Sequence, residues 1–152
     1  MPVNPELVGR VFPPTSPYLV GREKVREFAR AVFADDPRYF DPQAAQARGF
    51  ADVVAPPTFA IVLSLGAGNV VVEDPDVGID YSRVVHGEQR FTHHRPIRAG
   101  DRLVATTTID AARSVAGNDL LTARVDLATE DGEAVCTSLS MLVARGTEGE
   151  TA

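Results

Sequence analysis

The chain contains a single cysteine, Cys136, and no tryptophan. One thiol rules out an intrachain disulfide, so a reducing, cytosolic setting is expected. Cys136 sits in a strand-like run without nearby basic residues, which fits a packed, inert thiol. Long apolar runs are missing. The longest, around residues 59–65, falls far short of the ~20 residues that a membrane-spanning helix needs. The opening MPVNPELVGR lacks the basic start and apolar stretch of a secretory signal. Positive charge is scarce as well: 15 Lys and Arg face 21 Asp and Glu, a formal net charge of −6. Binding a nucleic-acid backbone needs clustered Lys and Arg, so that partner class is not expected. There are three histidines. His86 with Glu88 could form a polar pair, but no third ligand is evident nearby, so neither a metal nor a cofactor is expected.

What is present suits one domain. The 152 residues are 44% hydrophobic, enough for a sizeable core. Pro2, Pro5, Pro13, Pro14 and Pro17 mark an extended arm with a helical turn at residues 5–9. In YLVGREKVREFARAVFADD, Val25, Phe28, Ala29, Val32 and Phe33 recur at helical spacing, which predicts an amphipathic helix ending near Ala34. DPQAAQARGF reads as a short helix stopped by Gly49. VVAPPTFAIVLSLGAGNV enters a helix at Pro56-Pro57 and is apolar on all sides from Phe59 to Leu65 except at Ser64, the signature of a buried helix. GAGN, residues 66–69, follows that helix and reads as its end and turn, not as a nucleotide loop.

The second half changes period. SRVVHGEQRF and the β-branched RLVATTTIDAAR predict strands. Leu121, Ala123, Val125 and Leu127 alternate with polar residues, as do Val135, Thr137, Leu139, Met141 and Val143, with Asp131-Gly132 as the turn between them. TEGETA, residues 147–152, is expected to be a flexible tail. The order predicts an α+β domain over residues 1–146, an antiparallel sheet wrapped around one central buried helix. Its open edges predict pairing into a dimer.

This order, with YFDPQAAQARGFADVVAPPTFA (39–60), HGEQRFTHHRPIRAGD (86–101) and the closing hairpin, resembles the hot-dog fold of the MaoC-like, R-specific hydratase family. Within it the chain is most similar to the non-catalytic subunits of actinobacterial heterodimeric (3R)-hydroxyacyl-ACP dehydratases. The family's catalytic loop runs roughly Gly-Asp-x-Asn-Pro-x-His-x-Asp-Pro, and its Asp and His activate water at an enoyl thioester. Aligned on Pro37 and Asp41-Pro42, the Asp position is Ala34 and the His position is Tyr39. Ala34 has no proton to exchange, and a tyrosine with an ordinary pKa near ~10 is a poor base at neutral pH. The resemblance therefore implies an acyl-ACP- or acyl-CoA-binding subunit without catalytic residues of its own. It would pair with a catalytic MaoC-like chain, or with itself when alone.

Outside the dyad positions, Asp35 or Asp36 could supply an acid after a register shift. His86 and His94 are predicted on one strand face, with His93 on the other, and could serve as acid or base in a self-sufficient homodimeric hydratase. The resemblance implies an acyl groove along the central helix, from Pro57, Thr58, Phe59, Ile61, Val62 and Leu65, although Pro56 and Pro57 remove backbone donors at its entry. Arg95, Arg98 and Arg102 form either a solvated turn or a landing patch for an acidic carrier or the phosphates of coenzyme A. A regulatory or scaffold module that binds acyl thioesters remains a third reading.

Overall fold

The computed structural model describes residues 3–146, and the tail expected at 147–152 lies outside them. The arm opens with a single 3-10 turn, Pro5–Leu7, capped by Asn4, whose side chain accepts the Glu6 N–H at 2.9 Å. Two residues, Tyr18–Leu19, form β1 where the helical pattern was expected to begin. Helix α1 spans Arg22–Ala31, α2 spans Pro42–Ala47 and α3 spans Ile61–Glu73. Four long strands follow: β2 Val84–His93, β3 Arg102–Val115, β4 Asn118–Thr129 and β5 Ala134–Ala144. They form one antiparallel sheet in the order β1-β3-β4-β5-β2. This is a single α+β hot-dog domain, as the sequence predicts.

Three helix boundaries differ from expectation. Helix α3 starts at Ile61 and not at Pro56-Pro57, because residues 57–60 form a turn. Helix α1 stops at Ala31, so Val32 and Phe33 are not core residues: they are 44% and 93% exposed. The buried stripe is Val25 and Ala29, with Phe28 packed partly against it. Helix α3 runs through GAGN to Glu73 and ends where Asp74-Pro75 restricts the backbone. Its burial is one-sided too. Leu63, Ser64, Ala67 and Val71 face the sheet, whereas Leu65 is 58% exposed.

The sheet's faces depend on three irregularities. Ladder shifts fall between His86 and Glu88, between Ile109 and Ala111, and between Ala134 and Cys136, where β5 passes Leu127 and Ala128. Each extra residue reverses the inward–outward alternation beyond it. On β5 this overturns the expected inward row. Val135 is buried beside Cys136, and from there Ser138, not Leu139, is the buried residue. Leu139, Met141 and Val143 are only half-buried.

The core has two parts. One gathers Phe59, Leu63, Leu103, Val125 and Leu127 under α1 and the start of α3. The other joins Leu7, Phe12, Val71, Ile109 and Leu121 toward the end of α3. The arm seals the outer edge of β3: Gly9, Phe12 and Thr15 donate N–H groups to the carbonyls of Ile109, Thr107 and Ala105 at 2.8–3.0 Å. Strand β2 ends the sheet on the other side.

Candidate functional site

The loop between α1 and α2 is built from short caps. Asp36 begins a 3-10 turn, Pro37–Tyr39, and accepts the Arg38 N–H at 3.0 Å. Asp41 caps α2 by accepting the Gln43 N–H at 2.9 Å, with Pro42 in the first helical position, where its missing N–H costs nothing. The turn places Tyr39 inside, 8% exposed, and the Arg38 carbonyl accepts the Val54 N–H at 3.0 Å. Residues 53–55 then pair with 97–99 through Ala99 N–H to Val53 O at 3.0 Å and Ala55 N–H to Ile97 O at 2.8 Å. Three distant segments thereby enclose one cavity of about 410 Å³. Arg38, Tyr39 and Phe50 line one side, Val54, Ala55 and Pro57 another, and His93, His94, Arg95, Pro96 and Ile97 the third.

Tyr39, at the family's histidine position, thus stands in the cavity wall. Asp36 does not. Its carboxylate is held by the Arg38 N–H and by Arg48 Nη1 at 2.9 Å. These bonds, the backbone one first, hold its pKa below the usual carboxylate range, which makes it a weaker base. Asp35 is exposed, and Ala34 is half-buried.

The histidines regroup. The shift at Gly87 sets His86 opposite Leu142 and His93 opposite Cys136, on the same inward row as Gln89 opposite Ser140. The expected His86–Glu88–His94 face is therefore absent: Glu88 points to the outer face, opposite Met141, and ion-pairs with Arg90 there. His86 lies at the far end of β2 from the cavity, 3.4 Å from Ser140 Oγ. His94 follows β2 and lines the cavity, with Nε2 3.4 Å from Thr137 Oγ1. His93 holds the entry of α3, its Nε2 2.7 Å from the Pro57 carbonyl. A carbonyl only accepts, so Nε2 carries the proton. Among the described residues no group of three or more His, Cys, Asp or Glu side chains is placed to hold a metal ion.

The helix residues divide. Phe59 is fully buried and packs edge-on against Phe28, ring centroids 5.4 Å apart, so it belongs to the core and not to a groove. Pro57 and Thr58 are exposed, Ile61 and Val62 are half-buried, and Leu65 points outward; of these only Pro57 touches the cavity.

The arginines are paired. Arg95 spends its guanidinium on Asp101, at 2.9 and 3.0 Å, on Glu133 at 2.9 Å and on the Pro96 carbonyl at 2.9 Å. Asp101 is 7% exposed and also accepts the Arg98 N–H at 2.9 Å, so this is a clamp that shapes the turn before β3. Hydrogen bonds to Asp101 raise the Arg95 pKa further above its ordinary value. Arg98 Nε lies 3.9 Å from Asp101, and Arg102 Nε donates to Glu130 at 2.5 Å. A phosphate patch of free guanidiniums is therefore not what these three form. Sequence reasoning missed Arg38, Phe50 and His93. The available signal was their position: Arg38 precedes Tyr39, and His93 closes the HGEQRFTHH strand.

Residues 6–138 match the model of the FAS1-like dehydratase domain region. The chain belongs to this family. It is 55% identical over its whole length to a UPF0336 protein of Saccharopolyspora erythraea, which it covers completely. Among solved structures it resembles a chain of the C-terminally truncated HadBC (3R-hydroxyacyl-ACP dehydratase) complex from Mycobacterium tuberculosis, with TM-score 0.80 and 35% identity over 90% of this chain and 96% of that one. It also resembles a MaoC-like dehydratase with TM-score 0.85 and 38% identity, covering 93% of this chain but only 43% of that longer one. The MaoC-like hot-dog assignment thus holds in sequence and in structure.

Proposed function

We propose that the chain is the acyl-thioester-binding, non-catalytic subunit of a (3R)-3-hydroxyacyl-ACP or -CoA dehydratase. The observation that carries this reading is the loop itself. Its caps, prolines and flanking helices are intact, while Ala34 and Tyr39 occupy the acid and base positions. Of the candidates outside the loop positions, Asp36 is committed to Arg48 and the Arg38 N–H, and His86 is remote from the cavity. His94, which lines the cavity near Thr137, is the one that a hydration assay must exclude. General acid–base catalysis contributes about 10²–10⁴-fold, so a chain without it is slow. A partner with an intact Asp-x-Asn-Pro-x-His loop would supply the syn loss of water.

The sheet supports pairing. The arm and β1 cover the β3 edge, and β2 offers the open one. With one edge sealed, strand addition at β2 closes a dimer and does not propagate. The natural partner is a catalytic MaoC-like chain; alone, the protein would pair with itself. The exposed side of α3, with Ile61, Leu65 and the open positions Gly66 and Gly68, would face the acyl chain, and a cytosolic setting suits the free thiol.

The test is an enoyl-CoA hydration assay on the purified chain, alone and co-expressed with a MaoC-like chain encoded beside it. Activity only in the co-expressed complex is expected. Hydration by the chain alone, abolished by Asp36→Ala or His94→Ala, would replace this reading with a self-sufficient homodimer.

A further inference from the structure

We propose that the cavity beside Tyr39 binds a monoanion with an apolar body, specifically a carboxylate, with Arg38 as its counter-ion. Among the described residues no carboxylate lines the cavity, while Arg38 and Arg95 do. Arg95 is balanced by Asp101 and Glu133. Arg38 is not balanced. Its nearest carboxylate is Asp36, whose Oδ2 lies 3.6 Å from Arg38 Nε but 2.9 Å from Arg48 Nη1. One carboxylate between two guanidiniums leaves one positive charge. The residue at the family's acid position, Ala34, brings no negative charge to offset it.

Hydrogen bonding points the same way. Arg38 Nε is buried without a hydrogen-bond partner because Asp36 Oδ2, the carboxylate oxygen it faces at 3.6 Å, is bonded to Arg48. The charge of this guanidinium is left for acceptors at its other nitrogens. The guanidinium lies over the Tyr39 ring, 5.2 Å from its centroid, with Nη2 3.4 Å from the hydroxyl. A guanidinium beside a phenol O–H presents donors to both oxygens of one planar carboxylate. A single surplus charge suits a monoanion better than a phosphate dianion. Apart from His93 and His94 the rest of the wall is apolar: Phe50, Val54, Ala55, Pro57, Pro96 and Ile97. At about 410 Å³ the space lies within the range of about 300–1,000 Å³ typical of small-molecule sites. The substitutions that remove a proton-transfer dyad therefore leave a cationic pocket with an apolar wall.

This inference does not depend on a catalytic partner, so it is tested on the full-length chain alone. Octanoate, octanol and inorganic phosphate are titrated by calorimetry and by thermal shift, against the unmodified chain and against Arg38→Gln and Arg38→Lys. Saturable octanoate binding is expected, at least ten-fold tighter than octanol, with phosphate not binding. Arg38→Gln should weaken octanoate at least ten-fold and leave octanol unchanged. Arg38→Lys, which keeps the charge but loses the planar fork, should bind octanoate more tightly than Arg38→Gln and less tightly than the unmodified chain. Equal affinity for octanol, no saturable octanoate binding, or octanoate binding untouched in Arg38→Gln would each overturn the proposal. So would phosphate binding as tightly as octanoate. If Arg38→Gln does not fold, the comparison of octanoate with octanol on the unmodified chain decides the question.

Discussion

Two helices of this chain end in the same motif with different residues at its strained position, and that makes a quantitative prediction. At the end of α2, Gly49 N–H bonds Gln46 O at 3.0 Å and Phe50 N–H bonds Ala45 O at 3.1 Å, with Gly49 at φ 87°. At the end of α1, Phe33 N–H bonds Arg30 O at 3.1 Å and Ala34 N–H bonds Ala29 O at 2.8 Å, with Phe33 at φ 57°. Both are Schellman caps, whose left-handed residue is normally glycine. Counting back from Ala34, Phe33 also holds the glycine position of the catalytic family's loop. A left-handed conformation costs a non-glycine residue about 1–2 kcal/mol. Replacing Phe33 with glycine removes that cost and adds about 0.4–1 kcal/mol of unfolded-state entropy. The side chain is 93% exposed, so little burial is lost. The net expectation for Phe33→Gly is a gain of about 0.5–1 kcal/mol. At about 2–4 °C per kcal/mol for a domain of this size, that is a rise in Tm of about 1–4 °C. Phe33→Ala keeps the strain and should be nearly neutral, and Gly49→Ala should lose about what Phe33→Gly gains. Paired calorimetric and urea melts measure all three. If Phe33→Ala stabilises as much as Phe33→Gly, the strain argument is wrong and the exposed ring itself is the cost.

Other outcomes follow from individual groups. Ser64 is 4% exposed and its Oγ is buried without a partner, so Ser64→Ala should stabilise the chain by about 1 kcal/mol in urea unfolding; a loss would mean that the hydroxyl is bonded. Cys136 is fully buried and its thiol is pushed up to about 11 by desolvation, so a disulfide reagent at pH 8 should label it only on unfolding; fast labelling of the native chain would contradict this burial. Arg22 Nε donates to both oxygens of Asp52, at 2.9 and 3.2 Å, and Nη2 donates to Oδ2 at 2.8 Å, and this pairing lowers the Asp52 pKa. A carboxylate with a lowered folded pKa stabilises above the ordinary aspartate value of about 3.9, and that contribution is lost as pH falls through the lower folded value. Asp52→Asn should therefore flatten stability below about pH 4 and cost no more than about 1 kcal/mol at neutrality, as suits a partly exposed pair. An unchanged acid limb in melts from pH 2 to 7 would refute the pairing.

By itself the sequence determined the fold class, the α1 stripe of Val25 and Ala29, the closing β4–β5 pair and its Asp131-Gly132 turn, and the identities of Ala34 and Tyr39 at the positions where the family resemblance puts an acid and a base. These follow from local periodicity, turn chemistry and residue identity, which need no distant contact. Only the tertiary structure decided which faces the second-half residues occupy. One inserted residue at Gly87, Asp110 or Val135 reverses the alternation of everything beyond it, and a bulge leaves no signal in a period-2 pattern read alone. That is why His86 separated from His94, and why Ser138 turned inward. The charge of the site was a tertiary decision as well. The arginines of HRPIRAGDR look equally free in sequence, yet Asp101, Glu133 and Glu130 neutralise them across turns and strands. Arg38 keeps its charge because its one nearby carboxylate, Asp36, is drawn to Arg48 on the following helix end.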